Sequence, residues 1–152
     1  MFELELETLN PEVVASFTID GEPRSKERPR WNPTRSTQPY TPEKTVKAEK
    51  EIGWLFRKAA GPFPVSSTDT FGVFAVFLCG TKRRQDTDNM LKLVLDGLNG
   101  VAWKDDMQVT ESPARLVRGV LQARTEVLVY RTAGCVSKGA SNENNPEKEF
   151  TL

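Results

Sequence analysis

The sequence predicts a single α+β domain with a small mixed β-sheet and two main helices. Three observations lead to this prediction: a β-rich segment at residues 13–19, a continuous apolar run at 71–79, and two segments with helical periodicity at 42–59 and 89–98. The order of these segments, with further strands at the end, is typical of an α+β arrangement. A length of 152 residues fits one domain that is large enough to bury a core.

Five segments have the pattern of β-strands. Residues 2–6 alternate apolar and acidic side chains, and residues 13–19 are β-rich up to a turn signal at Asp20-Gly21. Residues 71–79 are apolar at nearly every position, so we expect a strand that is buried on both faces. The last two segments, residues 113–118 and 125–131, are expected to form a hairpin.

Two segments have the pattern of helices. We expect Thr41 to cap the first helix, with Pro42 at its first position and Gly61-Pro62 at its end. The second helix, residues 89–98, has a polar face and an opposite apolar stripe. The polar face contains Asp88, Lys92, Asp96 and Asn99, and the stripe contains Met90, Leu91, Val94, Leu95 and Leu98.

The chain divides into a folded body at residues 1–132 and a polar tail. Within the body, residues 1–12 are expected to form an additional strand or arm. Residues 133–152 are rich in Ser, Asn, Gly, Glu and Lys, so we expect a disordered tail.

Histidine is absent from the sequence. Its absence excludes Ser-His-Asp and Cys-His catalysis, HExxH zinc sites and Cys2His2 fingers. The two cysteines, Cys79 and Cys135, form no CxxC pair and indicate a reducing compartment. Because the sequence has neither a membrane-spanning apolar stretch nor a signal peptide, we expect a cytoplasmic protein that has no membrane partner.

The formal net charge of zero conceals an uneven distribution. Residues 1–20 carry five acids and no base, and residues 133–152 carry a net charge of −1. Residues 21–132 therefore carry 19 bases and 13 acids, a net charge of +6. A basic body between acidic ends indicates a polyanionic partner.

Acidic and basic side chains are concentrated between residues 82 and 106. Asp86 and Asp88 alternate in an extended segment, so both carboxylates share one face, and Lys92 lies one helical turn beyond Asp88 and is expected to meet it. The Asp105-Asp106 pair follows a tight turn, so we expect it to return to the same end of the helix. Each residue alone has a structural explanation, such as a helix cap at Asp88, but their grouping around one short helix does not.

Converging carboxylates repel one another unless a cation lies between them. In a site without histidine and made of oxygen ligands, the fitting ion is Mg²⁺ or Mn²⁺, which assists phosphodiester hydrolysis. We therefore expect a metal site at this acidic cluster, with Lys92 stabilising negative charge and no organic cofactor. The basic turn, which consists of Lys82, Arg83 and Arg84, is expected to bind the phosphate backbone.

The loop at residues 22–40 is a second candidate for contact with nucleic acid. Lys26, Arg28 and Arg30 lie among prolines that favour extended structure, so their charges are held apart for phosphate contacts. Trp31 is expected to stack on bases; the alternative is that it packs on the core of a solvated loop. For Trp103, a place in the core and a place on the DNA-facing surface both remain open.

Residues 83–109 resemble the signature of the RusA family of Holliday-junction resolvases, D-x-D-N-x-x-K…D-x-L…DD-x-Q-[IV]. The matching stretches are Arg83–Lys92, Leu95–Leu98 and Trp103–Val109, and residues 21–30 are similar to the start of phage-type members. The resemblance implies a RusA-like fold and a homodimeric, Mg²⁺-dependent endonuclease, for which Mn²⁺ would substitute. The implied substrate is a four-way or branched DNA junction, cut by paired nicks in the cytoplasm of a bacterium or a phage-infected host.

The resemblance also assigns roles to residues. It implies that Asp86, Asp88 and Asp106 bind the metal, with Asp105 as a further acidic position, and that Lys92 is essential for catalysis. A non-catalytic protein that binds branched DNA and a general metal-dependent nuclease remain the alternative functions.

Overall fold

The computed structural model describes residues 12–35 and 37–135, which form a single small α+β domain, as the sequence predicts. The helices are α1 (Glu43–Ala60) and α2 (Thr87–Leu98). The strands are β1 (Glu12–Asp20), β2 (Asp69–Cys79), β3 (Val109–Glu111), β4 (Ala114–Arg118) and β5 (Arg124–Cys135). The strand predicted at residues 2–6 lies outside the described residues.

Strand β2 is the centre of a mixed five-stranded sheet. On one side it pairs antiparallel with β5, which pairs antiparallel with β1; on the other side it pairs parallel with β3 and then β4. Because β4 and β5 lie on opposite sides of β2, the predicted hairpin between them is wrong. Their connection crosses the end of β2, where the Val120 N–H donates to the Cys79 carbonyl oxygen at 3.1 Å.

Both helices cover one face of the sheet. The alternate residues Val73, Ala75 and Phe77 of β2 are buried on this face, in one core with side chains of β1, β5, α1 and α2. On the other face, Phe74 and Val76 are only half-buried. The prediction of burial on both faces therefore holds for the first half of β2 and not for the second.

Trp103 belongs to the core. Its side chain is completely buried, and its ring centroid lies 5.7 Å from that of Phe71. The Trp103 backbone bridges to Ser66, just before β2, and to Asn99, just after α2. This residue therefore fixes where the chain goes when it leaves α2.

Two local predictions about the helices need correction. Pro42 and not Thr41 is the N-terminal cap of α1, because the Pro42 carbonyl oxygen accepts the first helical bonds from Thr45 and Val46. The buried stripe of α2 differs from the predicted one: Leu91 and Leu95 are half-buried. The buried positions, which face both the sheet and α1, are Met90, Leu93, Val94, Gly97 and Leu98.

The two helices are in close contact at two glycines, Gly53 and Gly97. A Cβ atom added to Gly97 would lie 2.8 Å from the Ile52 Cβ and 3.1 Å from the Glu49 carbonyl oxygen. A Cβ atom on Gly53 would lie 3.2 Å from the Gly97 carbonyl oxygen. These contacts set the distance between α2 and α1. Within the described part of the chain, neither helix is both long and apolar enough to cross a membrane.

We expect Gly97→Ala to destabilise the protein by about 1–2 kcal/mol in chemical denaturation, because the added methyl group overpacks the contact with Ile52. Helix propensity alone predicts the opposite sign, since alanine is favoured over glycine by about 1 kcal/mol in a helix. An increase in the free energy of unfolding would show that the two helices separate without cost.

Candidate active site

Asp86 and Asp88 lie where the loop after β2 enters α2. The Asp86 carboxylate caps the helix and accepts hydrogen bonds from the Asp88 N–H at 3.0 Å and from the Asn89 side-chain amide at 3.0 Å. The cap is therefore Asp86, a favoured residue at this position, and not Asp88. The Asp88 carboxylate is exposed and has no hydrogen bond or ion pair with the residues that the structure describes. It is available to bind a cation.

Lys92 lies one turn further along α2 and is exposed. The expectation that its ammonium group pairs with Asp88 is wrong, since the described residues include no acid within 4.0 Å of it. An exposed pair at this spacing gains only about 0.3–0.5 kcal/mol, which does not hold two flexible side chains together.

Asp105 and Asp106 form a similar pair at the start of a 3₁₀ turn, Asp106–Gln108. The Asp105 carboxylate caps this turn and accepts a hydrogen bond from the Met107 N–H at 2.8 Å. Asp106 is exposed and has no hydrogen bond or ion pair among the described residues. Each acidic pair thus has one carboxylate that caps a turn and one that is free.

The side-chain amide of Gln108 holds the second pair in place. It is buried, and its nitrogen donates to the carbonyl oxygens of Ser66 at 2.8 Å and Asp69 at 3.0 Å. Its oxygen accepts from the N–H groups of Lys104 and Asp105, both at 3.0 Å. All the hydrogen-bonding capacity of this amide is used to fix the turn against the start of β2.

The two acidic pairs lie at opposite ends of α2. Asp86 and Asp88 are at its N-terminus, whereas the Trp103 backbone, just before Asp105, bridges to the residue that follows the C-terminus of α2. A helix of 12 residues is about 18 Å long. Within residues 12–35 and 37–135, no three acidic or thiol side chains come together in a group that could hold a metal ion. The expectation that Asp105 and Asp106 return to the Asp86 end is therefore wrong within one chain.

An open groove of about 680 Å³ lies at the N-terminus of α2 and is lined by Arg84 to Asp88. The basic turn runs into this groove. Lys82, Arg83 and Arg84 are exposed, and no acidic side chain of the described residues pairs with them. Positive charge without a partner therefore stands directly beside the carboxylates of Asp86 and Asp88.

Lys26 points toward the interior of the domain. Its ammonium group pairs with the Asp96 carboxylate and, at 3.5 Å, with that of Glu49. The backbone N–H of Lys26 donates to the Asn89 carbonyl oxygen at 3.1 Å. Burial alone would lower the pKa of Lys26, but the two carboxylates raise it above 10.5. Lys26 ties the loop after β1 to both helices.

The rest of the predicted loop contacts are on the surface. Arg28 is exposed and unpaired among the described residues, and Arg30 pairs with Glu27 at 3.1 Å. The backbone of Arg30 also bridges to Tyr40, with hydrogen bonds of 2.9 and 2.8 Å. Trp31 is 65% exposed, so the alternative in which it packs on the core is wrong.

Two residues with structural roles at this site were not recognised from the sequence. Gln108 had a usable signal, because Asp105 and Gln108 have the spacing of a capping box. Glu22, whose carboxylate binds the backbone of Gly80 and Thr81, had none, since its partners lie 58 and 59 positions away along the chain.

The chain matches the model of a known protein family. The family model described as "Endodeoxyribonuclease RusA" matches residues 20–130, a range that contains both acidic pairs, Lys92 and the basic turn. No curated protein matches the chain.

We expect Gln108→Leu to destabilise the protein by about 2–4 kcal/mol, because buried carbonyl and N–H groups lose their partners. Gln108→Glu keeps the shape of the side chain and changes its hydrogen-bonding groups, so it separates the loss of hydrogen bonds from a change in packing. Its new oxygen faces two carbonyl oxygens, so the carboxyl pKa is raised in the folded state and stability is lost as the pH rises from the unfolded-state pKa through the folded one.

Urea denaturation at pH 4.5 and pH 7 measures this difference. Relative to the wild type, Gln108→Glu should lower the free energy of unfolding less at pH 4.5 than at pH 7. The loss for Gln108→Leu should be similar at both pH values. An equal loss in the free energy of unfolding for Gln108→Glu at the two pH values would contradict the assigned hydrogen bonds.

We expect Lys26→Met to lower the free energy of unfolding by about 1–3 kcal/mol, because Asp96 and Glu49 then face each other without a cation. The raised pKa of Lys26 means that its contribution is complete at neutral pH and is lost only as the pH rises through that pKa in alkaline solution. The matched control is Lys47→Met, which removes an exposed pair with Glu43 and should cost less than about 0.5 kcal/mol. Similar losses for the two variants would show that the Lys26 contacts add nothing.

Proposed function

Because the chain belongs to the RusA family of endodeoxyribonucleases, we propose that it is a divalent-metal-dependent nuclease that resolves four-way DNA junctions by paired symmetric nicks. The observation that supports this most strongly is the groove at the N-terminus of α2. It places two carboxylates, one of them free, beside Arg84, which Lys82 and Arg83 precede in the chain; these three exposed cations have no partners among the described residues. Such a groove attracts a polyanion and holds the residues that hydrolyse a phosphodiester next to it.

The chemistry of the acidic residues suits a hard divalent cation. Their ligands are carboxylate oxygens at the surface, the type that Mg²⁺ and Mn²⁺ prefer. We assign Asp88 and Asp106 as the principal ligands because their carboxylates have no partner in the described part of the chain, with Asp86 and Asp105 beside them. When bound there, the ion would polarise a phosphoryl oxygen and lower the pKa of a bound water.

We infer that a complete site needs two copies of the chain. One copy keeps its two acidic pairs at opposite ends of a helix that is about 18 Å long. A homodimer with a two-fold axis can bring Asp86 and Asp88 of one subunit to Asp105 and Asp106 of the other, and its symmetry generates this contact twice. Two sites related by a two-fold axis also suit a substrate that is cut on two opposed strands.

The remaining residues are assigned by charge and exposure. Lys92 is exposed one turn from Asp88 and pairs with no described acid, which supports a role in stabilising negative charge that develops on the phosphate. The basic turn and the exposed Arg28 and Arg30 bind backbone phosphates, and Trp31 stacks on unpaired bases near the junction. Lys26 serves the same surface indirectly, by holding the loop against the helices.

A cleavage assay tests the function. We expect the wild type to nick a labelled four-way junction in Mg²⁺ or Mn²⁺ and to leave linear duplex of the same sequence largely uncut. Asp88→Asn should bind the junction but lose more than about 100-fold in rate, since it removes a metal ligand. Binding without any cleavage would favour the branched-DNA-binding alternative, and equal cleavage of linear duplex would favour a general nuclease.

A mixing experiment tests the shared site. Asp88→Asn and Asp106→Asn are each expected to be inactive, because each variant damages both sites of its dimer. In a mixed dimer the two substitutions fall in one site and leave the other intact, so an equal mixture should regain about a quarter of the wild-type sites. The recovered product should be a single nick and not a paired cut. No recovery after subunit exchange would mean that each site lies within one chain.

A further inference from the structure

The carboxylate of Glu22 is bound to the turn that follows β2. It accepts hydrogen bonds from the Gly80 N–H at 3.1 Å, the Thr81 N–H at 3.3 Å and the Thr81 hydroxyl at 3.0 Å. The side-chain amide of Gln85 approaches it at 3.5 Å. One carboxylate therefore holds both ends of the segment that carries Lys82, Arg83 and Arg84.

Glu22 is itself held on a rigid stretch of chain. On one side of it, the Gly21 N–H donates to the Ala123 carbonyl oxygen at 3.1 Å, and on the other side Pro23 is buried. Lys26 then fixes the same stretch to α1 and α2 through its ion pairs. The Glu22 carboxylate is thus anchored independently of the turn that it binds.

The sign of this charge is unexpected for its position. A carboxylate beside a surface that binds phosphate repels the substrate and lowers its affinity. Desolvation raises the pKa of Glu22, but the hydrogen bonds from Gly80, Thr81 and Gln85 bring it below 4.5. The group is therefore ionised at neutral pH, and the repulsion has to be offset by some gain.

We propose that Glu22 is a positioning residue that fixes the basic turn, so that Lys82, Arg83 and Arg84 hold a substrate phosphate at the groove beside Asp86 and Asp88. This inference rests on the proposed function, in which the turn binds phosphate. The gain is conformational: three flexible cations on an ordered turn lose less entropy on binding than they would on a mobile one.

Two substitutions that remove the same charge separate positioning from electrostatics. Glu22→Gln removes a carboxylate that holds the turn. Glu27→Gln removes one from the same loop, where the side chain is 39% exposed and pairs only with Arg30 among the described residues. If charge alone mattered, both variants would bind a four-way junction more tightly than the wild type.

We expect Glu22→Gln to raise the KM for a four-way junction about threefold to tenfold with little change in kcat, because phosphate contacts act equally in the ground state and the transition state. The slope of the logarithm of the association constant for the junction, plotted against the logarithm of the salt concentration, should become shallower by about one for each phosphate that the turn no longer binds. Glu27→Gln should show an equal or lower KM. Amide hydrogen exchange without DNA should be faster at Gly80 and Thr81 in Glu22→Gln and unchanged in Glu27→Gln.

Three results would overturn the inference. The first is a KM for Glu22→Gln that equals or falls below the wild-type value, as a charge effect predicts. The second is a lower kcat at unchanged KM, which indicates a smaller folded fraction. The third is unchanged exchange at Gly80 and Thr81. If the wild type binds junctions without cutting them, the proposed function fails, and the comparison of Kd values together with the exchange data still decides the role of Glu22.

Discussion

A rigid helix of 12 residues separates two pairs of aspartates, and the arrangement of the site depends on that separation. Four carboxylates at one place in a monomer would repel one another strongly, since like charges at close range disfavour ionisation. With the pairs at opposite ends of α2, each pair instead stabilises its own turn, through the caps made by Asp86 and Asp105. No cation is therefore needed to offset repulsion between the two pairs within one chain, and the exposed carboxylates of Asp88 and Asp106 remain available for the shared ion that we propose.

Three polar side chains hold the charged residues of the candidate site against the rest of the fold. Gln108 fixes the second acidic pair to the start of β2 with four hydrogen bonds. Lys26 ties the loop after β1 to α1 and α2, and Glu22 joins the same loop to the basic turn. The contacts of Lys26 and Glu22 join segments far apart along the chain, and so do those that Gln108 makes with Ser66 and Asp69. These contacts therefore limit how far the charged residues that each of them holds can move.

Local pattern was sufficient for some features and not for others. The apolar run that became β2, and the positions of Asp86 and Asp88 at the start of a helix, follow from residues within one or two turns of each other. The position of Asp106 does not, because it is set by the buried Trp103 and Gln108. Both are joined to Ser66, just before β2, and Gln108 also donates to the carbonyl oxygen of Asp69 at the start of β2. Likewise the segments of β4 and β5 have the local pattern of a hairpin, but both pair with β2, whose two edges offer backbone groups that need partners. The inward direction of Lys26 depends on Asp96, which is 70 positions away.

The most direct measurement of the shared site is Mn²⁺ binding at protein concentrations above and below the monomer–dimer transition. Electron paramagnetic resonance of free Mn²⁺ gives the affinity, and sedimentation gives the fraction of dimer at each concentration. If the acidic pairs of two subunits form one site, the Mn²⁺ affinity should increase with the dimer fraction, and Mn²⁺ should in turn promote dimerisation, because the two equilibria are linked. The Asp88→Asn variant should lose this dependence. A monomer that binds Mn²⁺ as tightly as the dimer would contradict the account.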